Sequence, residues 1–247
     1  MARTAASTRT ASGARSAASS FQVQVGQNAP LEIRKPSFYI AADRVTGIAD
    51  GGVLTTWTDE SPSRNNFTQA TAGFKPLFFS TTGAELANGF ATVKFDGTDD
   101  TMASPTLASI GGSNVSTLIV AQPVTLAADQ EVFEDSIDNF HDKILSTGSY
   151  EVKGGSTATL GSGIAANTTF IIVMKRQGGN VVAFLNGARF TGTIGNTTFA
   201  FPTNLAKAAA GFGNIRLIEF AMWDSALTES EMLEMCSTYA NKYDVSF

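Results

Sequence analysis

The sequence predicts an all-β fold in which two antiparallel sheets form a sandwich, closed by one C-terminal α-helix. Charged residues make up only 16% of the 247-residue chain, and many short runs of Val, Phe, Thr and Ser alternate with glycine-containing turns. Asn186-Gly187 separates two apolar runs and is a preferred pair for a tight hairpin turn. Only the segment that starts at Thr228 carries a convincing helix signature.

The chain is predicted to divide into an N-terminal arm and connector (residues 1–36) and one domain (residues 37–247). Residues 1–20 contain almost only Ala, Ser, Thr, Gly and Arg, a composition that is predicted to leave them flexible. They are interpreted as a frayed tail or as an assembly arm that orders against a neighbouring subunit. An organelle transit peptide is a third alternative, which the lack of large apolar residues between the arginines disfavours.

Charge is distributed unevenly between these two parts. Residues 1–31 carry a net charge of +3 and no acidic residue, whereas the remainder has 14 basic and 22 acidic residues, a net charge of −8. Because binding to nucleic acid depends on neutralisation of phosphates by Lys and Arg, the acidic body argues against a nucleic-acid partner.

Apolar runs and period-two alternation predict the strands of the sandwich. The predicted strands are residues 21–25, 37–42, 53–58, 91–95, 115–124, 170–175, 181–185, 188–190 and 214–223. The segment 214–223 has apolar residues at odd-numbered and even-numbered positions alike, which indicates a strand covered on both faces.

The predicted helix begins with a capping box, in which the Thr228 hydroxyl bonds the Glu231 amide and the Glu231 carboxylate reaches back. Apolar residues then recur at helical spacing and define one buried stripe, formed by Met232, Met235, Cys236, Tyr239 and Tyr243.

Residues 38–247 resemble, in the same order, the concanavalin A-like and laminin-G-like jelly rolls. The resemblance rests on Trp57-Thr-Asp59-Glu-Ser61, Asn65–Gln69 with Lys75-Pro76, Val93–Met102, Phe184–Gly187 and the segment from Gly211 to Tyr243. It implies a jelly-roll topology for the sandwich but no particular function, since this fold hosts hydrolases, lectins, adhesion modules and virion proteins. Residues 1–37 have no counterpart, and residues 129–142 look like an insertion.

The sequence gives no sign of catalytic residues, and the protein is predicted not to be an enzyme. Glycosidases on this fold place carboxylates in an E-x-D-x-x-E strand, whereas Glu131, Glu134 and Asp135 have other intervals and are predicted to lie in a loop. His141 is the only histidine, and the single cysteine, Cys236, is expected to face the core. No cofactor site is recognised.

Two acidic groups are candidate Ca²⁺ ligands. Asp96, Asp99 and Asp100 offer hard oxygen ligands, and some relatives bind calcium at one rim of the sandwich. The favoured interpretation is a tight Asp96-Gly97 turn with solvated carboxylates. The acidic stretch from Asp129 to Asp142 is likewise interpreted as a solvated loop or short exposed helix, with a calcium site as the alternative.

Glycan binding requires exposed aromatic side chains beside polar groups. Trp57 and Trp223 fall in strand patterns that the resembled family uses for packing, so both are predicted to be core residues. Phe140 and Tyr150 border the predicted insertion and are the candidates for exposed aromatic residues, although their exposure does not follow from the sequence.

The preferred functional hypothesis is a structural protein of a tailed-bacteriophage virion, such as a capsid decoration or fibre-type component with a glycan-binding jelly roll. The arm would contact other virion proteins or other copies of the chain. The observations behind it are the lack of a signal-peptide pattern, the near absence of cysteine and the basic arm. The alternative is a carbohydrate-binding or adhesion module of a bacterial surface. Membrane insertion is not expected, because the longest apolar runs fall far short of the roughly 20 residues that a span needs.

Overall fold

The computed structural model describes residues 34–81, 83–104, 114–135, 140–195, 202–208 and 211–247, so the strand predicted at residues 21–25 and most of the arm lie outside the described residues. The strands are β1 (Phe38–Ala41), β2 (Gly52–Val53), β3 (Thr56–Trp57), β4 (Phe67–Thr68), β5 (Leu77–Phe79), β6 (Thr92–Asp96), β7 (Met102–Ala103), β8 (Asn114–Pro123), β9 (Gln130–Asp135), β10 (Phe140–Ile144), β11 (Tyr150–Gly154), β12 (Ser156–Leu160), β13 (Phe170–Gln177), β14 (Asn180–Leu185), β15 (Ala188–Thr193), β16 (Pro202–Leu205), β17 (Lys207–Ala208), β18 (Gly211–Phe212) and β19 (Asn214–Trp223). Short 3₁₀ helices span Ala42–Arg44 and Ala72–Phe74, and α1 spans Glu229–Tyr243.

The strands form two large antiparallel sheets, which confirms the predicted sandwich. Sheet A has the order β15-β14-β13-β8-β19-β6-β5-β2, and β1 pairs with the second half of β19 beside β6. Sheet B has the order β12-β11-β10-β9-β16-β7-β4-β3. The strands β17 and β18 form a separate two-stranded ribbon.

One apolar core lies between the sheets and a second lies between sheet A and α1. Alternate residues of β13 divide between them, with Ile172 and Met174 in the first core and Ile171 and Val173 in the second. Such a strand is apolar at positions of both parities because both of its faces are covered. The same holds for β19, of which every residue except the first is buried, as its sequence predicted.

The C-terminal helix has the predicted start and the predicted buried face. Thr228 is the N-cap, its hydroxyl accepts a hydrogen bond from the Glu231 amide, and the Glu231 side chain accepts one from the Thr228 amide. All five residues of the predicted stripe are buried. None of the helices among the described residues has the length and apolar character that crossing a membrane requires.

A buried carboxylate ties α1 to sheet A, a contact that the sequence did not suggest. A register shift between Leu217 and Glu219 places Ile218 and Glu219 on the helix side of β19. The fully buried Glu219 carboxylate accepts hydrogen bonds from the hydroxyl groups of Tyr39 and Tyr243 and from the Lys242 ammonium group. Burial, together with the Glu219 charge, raises the pKa of both tyrosines well above the ordinary value.

The predicted Asn186-Gly187 hairpin turn is confirmed, and one strand prediction is wrong. Asn186 and Gly187 both have positive φ (45° and 81°), as a type I′ turn between β14 and β15 requires. Gly178, at φ 58°, begins the turn between β13 and β14. The strand predicted at residues 53–58 is instead β2 in sheet A and β3 in sheet B, because the chain crosses between the sheet edges at the buried Leu54.

Candidate ligand-binding cleft

A buried carboxylate explains the Trp57-Thr-Asp59-Glu-Ser61 pattern. Asp59 Oδ1 accepts hydrogen bonds from the backbone N–H groups of Tyr39 (3.0 Å) and Ser61 (2.8 Å). Its Oδ2 accepts from the Ser61 hydroxyl and from the Asn65 N–H, both at 2.8 Å. Asp59 therefore joins the loop that follows β3 to the first strand of sheet A.

A hydrogen bond from the Trp57 side chain joins β3 to the end of β1. Trp57 is 1% exposed, and its indole N–H donates to the Ala41 carbonyl at 3.1 Å. The prediction that Trp57 and Trp223 are core residues is confirmed, since Trp223 is also 1% exposed.

A cleft of about 500 Å³ lies beside Trp57, at the edge where the chain passes from sheet A to sheet B. One wall is the segment that follows the first 3₁₀ helix, and the other is the edge strand β3 with its flanking residues. The lining residues are Arg44, Val45, Thr46, Ile48, Thr55, Thr56, Trp57, Thr58 and Glu60. The cleft thus combines four threonines, one cation and one carboxylate with the half-buried aliphatic side chains of Val45 and Ile48.

A second, smaller cleft of about 280 Å³ adjoins the first and shares Glu60 with it. Lys35 and Arg64 are among its lining residues. Arg64 lies 4.0 Å from the Glu60 carboxylate, and Arg44 lies 3.8 Å from the Asp43 carboxylate. All four of these side chains are at least one third exposed. Such exposed pairs are weak, so their charged groups can reorient towards a ligand.

Nothing in the sequence indicates this cleft, although the run Thr55-Thr56-Trp57-Thr58 contains three of its threonines. A strand that exposes Thr56 and buries Trp57 looks the same in sequence whether or not a cleft lies beside it. The other wall comes from residues 44–48, which only the tertiary structure brings to β3.

The Asp96-Gly97 turn is present as the sequence predicted, but not all of its carboxylates are solvated, because Asp100 is buried. Asp96 Oδ1 accepts backbone N–H groups of Thr98, Asp99 and Asp100 at 2.8, 3.3 and 3.4 Å, and Gly97 has φ 77°. Burial acts to raise the pKa of Asp96, but these three N–H groups outweigh it and hold the pKa below its ordinary value.

Asp100 is the perturbed carboxyl group of this turn. Burial, reinforced by the neighbouring Asp96 charge, raises its pKa to about 6. Carboxylate oxygens of Asp96, Asp99 and Asp100 lie within 4.8 Å of one another. Ca²⁺ takes about six to eight oxygen ligands, of which these residues supply three, so calcium binding here stays the untested alternative to a simple turn.

The interpretation of residues 129–142 as a loop or exposed helix is wrong. Its described residues form β9 and β10, which are paired strands in the interior of sheet B. The register shift between Asp142 and Lys143 on β10 leaves Val132 as an extra residue on β9. As a result Glu131 lies opposite Lys143 and Glu134 opposite His141, so the two glutamates share one face of the sheet.

This face carries a network of charged side chains. The Lys143 ammonium group lies 3.2 Å from Asp129 and 3.3 Å from Glu151, and His141 Nε2 lies 3.8 Å from the same Glu151 oxygen. Burial opposes the charge of Lys143, but hydrogen bonds to both carboxylates prevail and raise its pKa.

Asp142 faces the opposite way, into the core between the sheets. Its carboxylate is fully buried and accepts hydrogen bonds from Arg176 of β13 and from the Tyr150 hydroxyl. Burial raises the pKa of Asp142 although the Arg176 charge acts against it. Phe140 and Tyr150, whose exposure the sequence left open, are 2% and 0% exposed, because β10 and β11 turn these side chains inward.

The Cys236 thiol is buried against sheet A, as predicted. Its Sγ lies 3.5 Å from the Phe184 carbonyl, and burial raises its pKa to about 12. A thiol with so high a pKa is a poor nucleophile at neutral pH.

No protein-family model matches the chain, and a comparison with curated proteins finds no match. Solved structures do match its fold. Trypanosoma rangeli sialidase is 9% identical with a TM-score of 0.57, over 83% of this chain and 32% of the sialidase. The receptor-binding domain of botulinum neurotoxin type G is 10% identical with a TM-score of 0.57, over 83% of this chain and 51% of that domain.

These comparisons correct one prediction from the sequence. The chain was predicted not to be an enzyme, yet the matching structures include sialidases and a sialidase mutant with trans-sialidase activity. The chain spans about a third of the length of these sialidases. That prediction is therefore wrong, because the same β-sandwich fold occurs within enzymes. At about 10% identity, the likeness to these structures shows a shared fold and nothing more.

Proposed function

We propose that the chain is a carbohydrate-binding recognition domain and that the cleft beside Trp57 holds the sugar. The observation that carries this proposal is the composition of the cleft. Sugars present C–H faces and hydroxyl groups together, and the cleft offers the half-buried aliphatic side chains of Val45 and Ile48 beside hydroxyl, guanidinium and carboxylate groups. Its volume of about 500 Å³ is within the range of small-molecule sites.

The surrounding structure supports a rigid site. Trp57 is anchored to the Ala41 carbonyl, and the loop beyond it is held by the four hydrogen bonds to Asp59. A preformed wall loses little conformational entropy on binding, so its hydrogen bonds contribute more of their free energy to affinity. The matching toxin structure is named a receptor-binding domain, which is consistent with a recognition role for this fold.

A glycan array on the full chain, followed by calorimetry with the best ligand, tests the proposal. Thr56→Val keeps the side-chain shape but removes an exposed hydroxyl, and loss of one hydrogen bond of about 1 kcal/mol weakens binding about fivefold. Glu60→Gln is expected to weaken binding as well. Thr157→Val, at an exposed position on the far edge strand of sheet B, is the matched control and should bind like wild type.

Two results would contradict this proposal in different ways. An array without any specific glycan would remove the recognition function. A glycan that binds wild type, Thr56→Val and Glu60→Gln equally would keep the function but exclude the cleft as its site.

A structural role in a tailed-bacteriophage virion is a second proposal. It is supported by the charge contrast between residues 1–31, at +3, and the remaining residues, at −8, which suits contact between the arm and a neighbouring copy. Symmetric assembly of the recombinant chain without sugar binding would support this role. A monomer that binds a specific sugar would favour the recognition domain, including a bacterial surface adhesion module.

A further inference from the structure

Sheet A ends in an unprotected edge strand. Among the described strands, β15 pairs with β14 alone, and four of its six residues are exposed. Natural edge strands are commonly blocked by proline, by lysine or by bulges, because unpaired N–H and C=O groups can pair with another chain. The sequence of β15, Ala-Arg-Phe-Thr-Gly-Thr, has neither proline nor lysine, and its register with β14 is regular.

The hairpin turn determines which backbone groups of β15 point outward. In a two-residue hairpin the residues that flank the turn, here Leu185 and Ala188, form a hydrogen-bonded pair, and the pairs then alternate. Arg189, Thr191 and Thr193 are therefore in non-hydrogen-bonded pairs, with N–H and C=O groups directed away from β14. These three outward N–H groups form a row that an added strand can bond.

The N-terminal arm leaves the domain near the start of this edge strand. Arg34 lies 3.0 Å from the Glu231 carboxylate, and the Trp223 indole donates to the Arg34 carbonyl at 2.9 Å. Arg189 of β15 bonds Glu229 at 2.6 Å. Glu229 and Glu231 both belong to the first turn of α1, so Arg34 and Arg189 contact the same helix terminus.

The arm contains a segment with the pattern of an added strand. Phe21, Val23 and Val25 alternate with two glutamines, so their apolar side chains fall on one face of a strand. A shallow groove of about 440 Å³ runs along β14 and β15, and its lining includes Val181 and Val182.

We propose that residues 21–25 of one copy of the chain add to β15 of a second copy and extend its sheet A. Eight residues separate Val25 from Arg34, and the nine steps between them, at about 3.3 Å each, span up to about 30 Å. That length suffices to reach a neighbouring molecule. The net +3 of residues 1–31 against the net −8 of the remainder favours the contact.

Disulfide trapping tests this contact directly. Full-length Val23→Cys, carrying an affinity tag, is mixed with untagged full-length Thr191→Cys under oxidising conditions, in which buried Cys236 is protected. A mixed disulfide between the two chains is the expected product, since paired strands bring Cα atoms within disulfide range. Thr159→Cys, at an exposed position on the edge strand of sheet B, replaces Thr191→Cys as the control and should give none.

A second variant blocks strand pairing at the free edge of β15. Thr191→Pro deletes one outward N–H without removing a bond to β14, so light scattering on the full chain should show loss of the oligomer, with the far-UV spectrum unchanged. A monomeric wild-type chain or equal trapping at Thr159→Cys would overturn the proposal. So would a disulfide that forms only within a chain carrying both Val23→Cys and Thr191→Cys and never between two chains.

Discussion

The substitution Asp59→Asn tests whether one buried carboxylate organises the start of the sandwich. The two Asp59 oxygens accept three backbone N–H groups and one hydroxyl. Asparagine keeps one acceptor oxygen, which can retain the bonds from Tyr39 and Ser61. Its NH₂ group then faces the Asn65 N–H, so that two donors meet and a backbone donor loses its acceptor.

The expected loss follows from these contacts. A buried donor without an acceptor costs about 1–3 kcal/mol, and changing the retained bonds from charged to neutral acceptors costs about 1 kcal/mol more. Asp59→Asn is therefore expected to lower the free energy of unfolding by about 2–4 kcal/mol. For a domain of this size that corresponds to a Tm lower by about 5–15 °C.

Urea unfolding followed by tryptophan fluorescence measures this loss, because Trp57 lies two residues from Asp59. Asp224→Asn is the matched control, since Asp224 is exposed and follows the last strand of sheet A. It should change stability by less than about 0.5 kcal/mol. A loss below about 1 kcal/mol for Asp59→Asn would refute the reasoning, because the four bonds would then not act together.

Three further predictions concern other parts of the fold. A Cβ on Gly213 would lie 2.0 Å from the Glu131 carbonyl oxygen, whereas one on Gly211 meets nothing within 4 Å. Calorimetry should therefore show a much lower Tm for Gly213→Ala and a Tm near wild type for Gly211→Ala. Because the folded-state pKa of Asp100, about 6, exceeds its ordinary value of 3.8, the protonated carboxyl stabilises the fold below about pH 4, and this contribution is lost as the pH rises through 6. Asp100→Asn should remove that pH dependence from the unfolding midpoints, and an unchanged profile would contradict the assignment. Thr228→Ala should cost about 1 kcal/mol and Thr228→Ser much less, and equal losses would show that the cap hydroxyl is not the cause.

Features that depend on a few neighbouring residues were predicted correctly from the sequence. The capping box at Thr228 and the Asn186-Gly187 turn are examples, because their geometry is set by residues within one turn of chain. The strand 214–223 was also predicted with its exact bounds, since ten residues that are apolar at both parities are typical of a strand covered on two sides.

The errors arose where a strand departs from regular alternation. In an unbulged strand residues three apart lie on opposite faces, so Glu131 and Glu134 gave no pattern of a paired sheet face. The extra residue Val132 brings both to one face and turns an apparent acidic loop into the pair β9 and β10. The prediction of one strand at residues 53–58 was wrong for a related reason, because alternation does not show that the chain passes to the other sheet at Leu54.

The two-layer β architecture, the closing helix and the local turns follow from short stretches of sequence, because periodicity, capping and positive-φ residues act over a few positions. Contacts between distant parts of the chain are visible only in the folded structure. There residues 44–48 lie beside Thr55–Thr58 to form the cleft, Glu219 contacts the helix, and Arg34 and Arg189 both contact the first turn of α1. Those contacts join residues far apart in sequence, and the bulges and sheet crossings that create them leave no periodic pattern in the sequence.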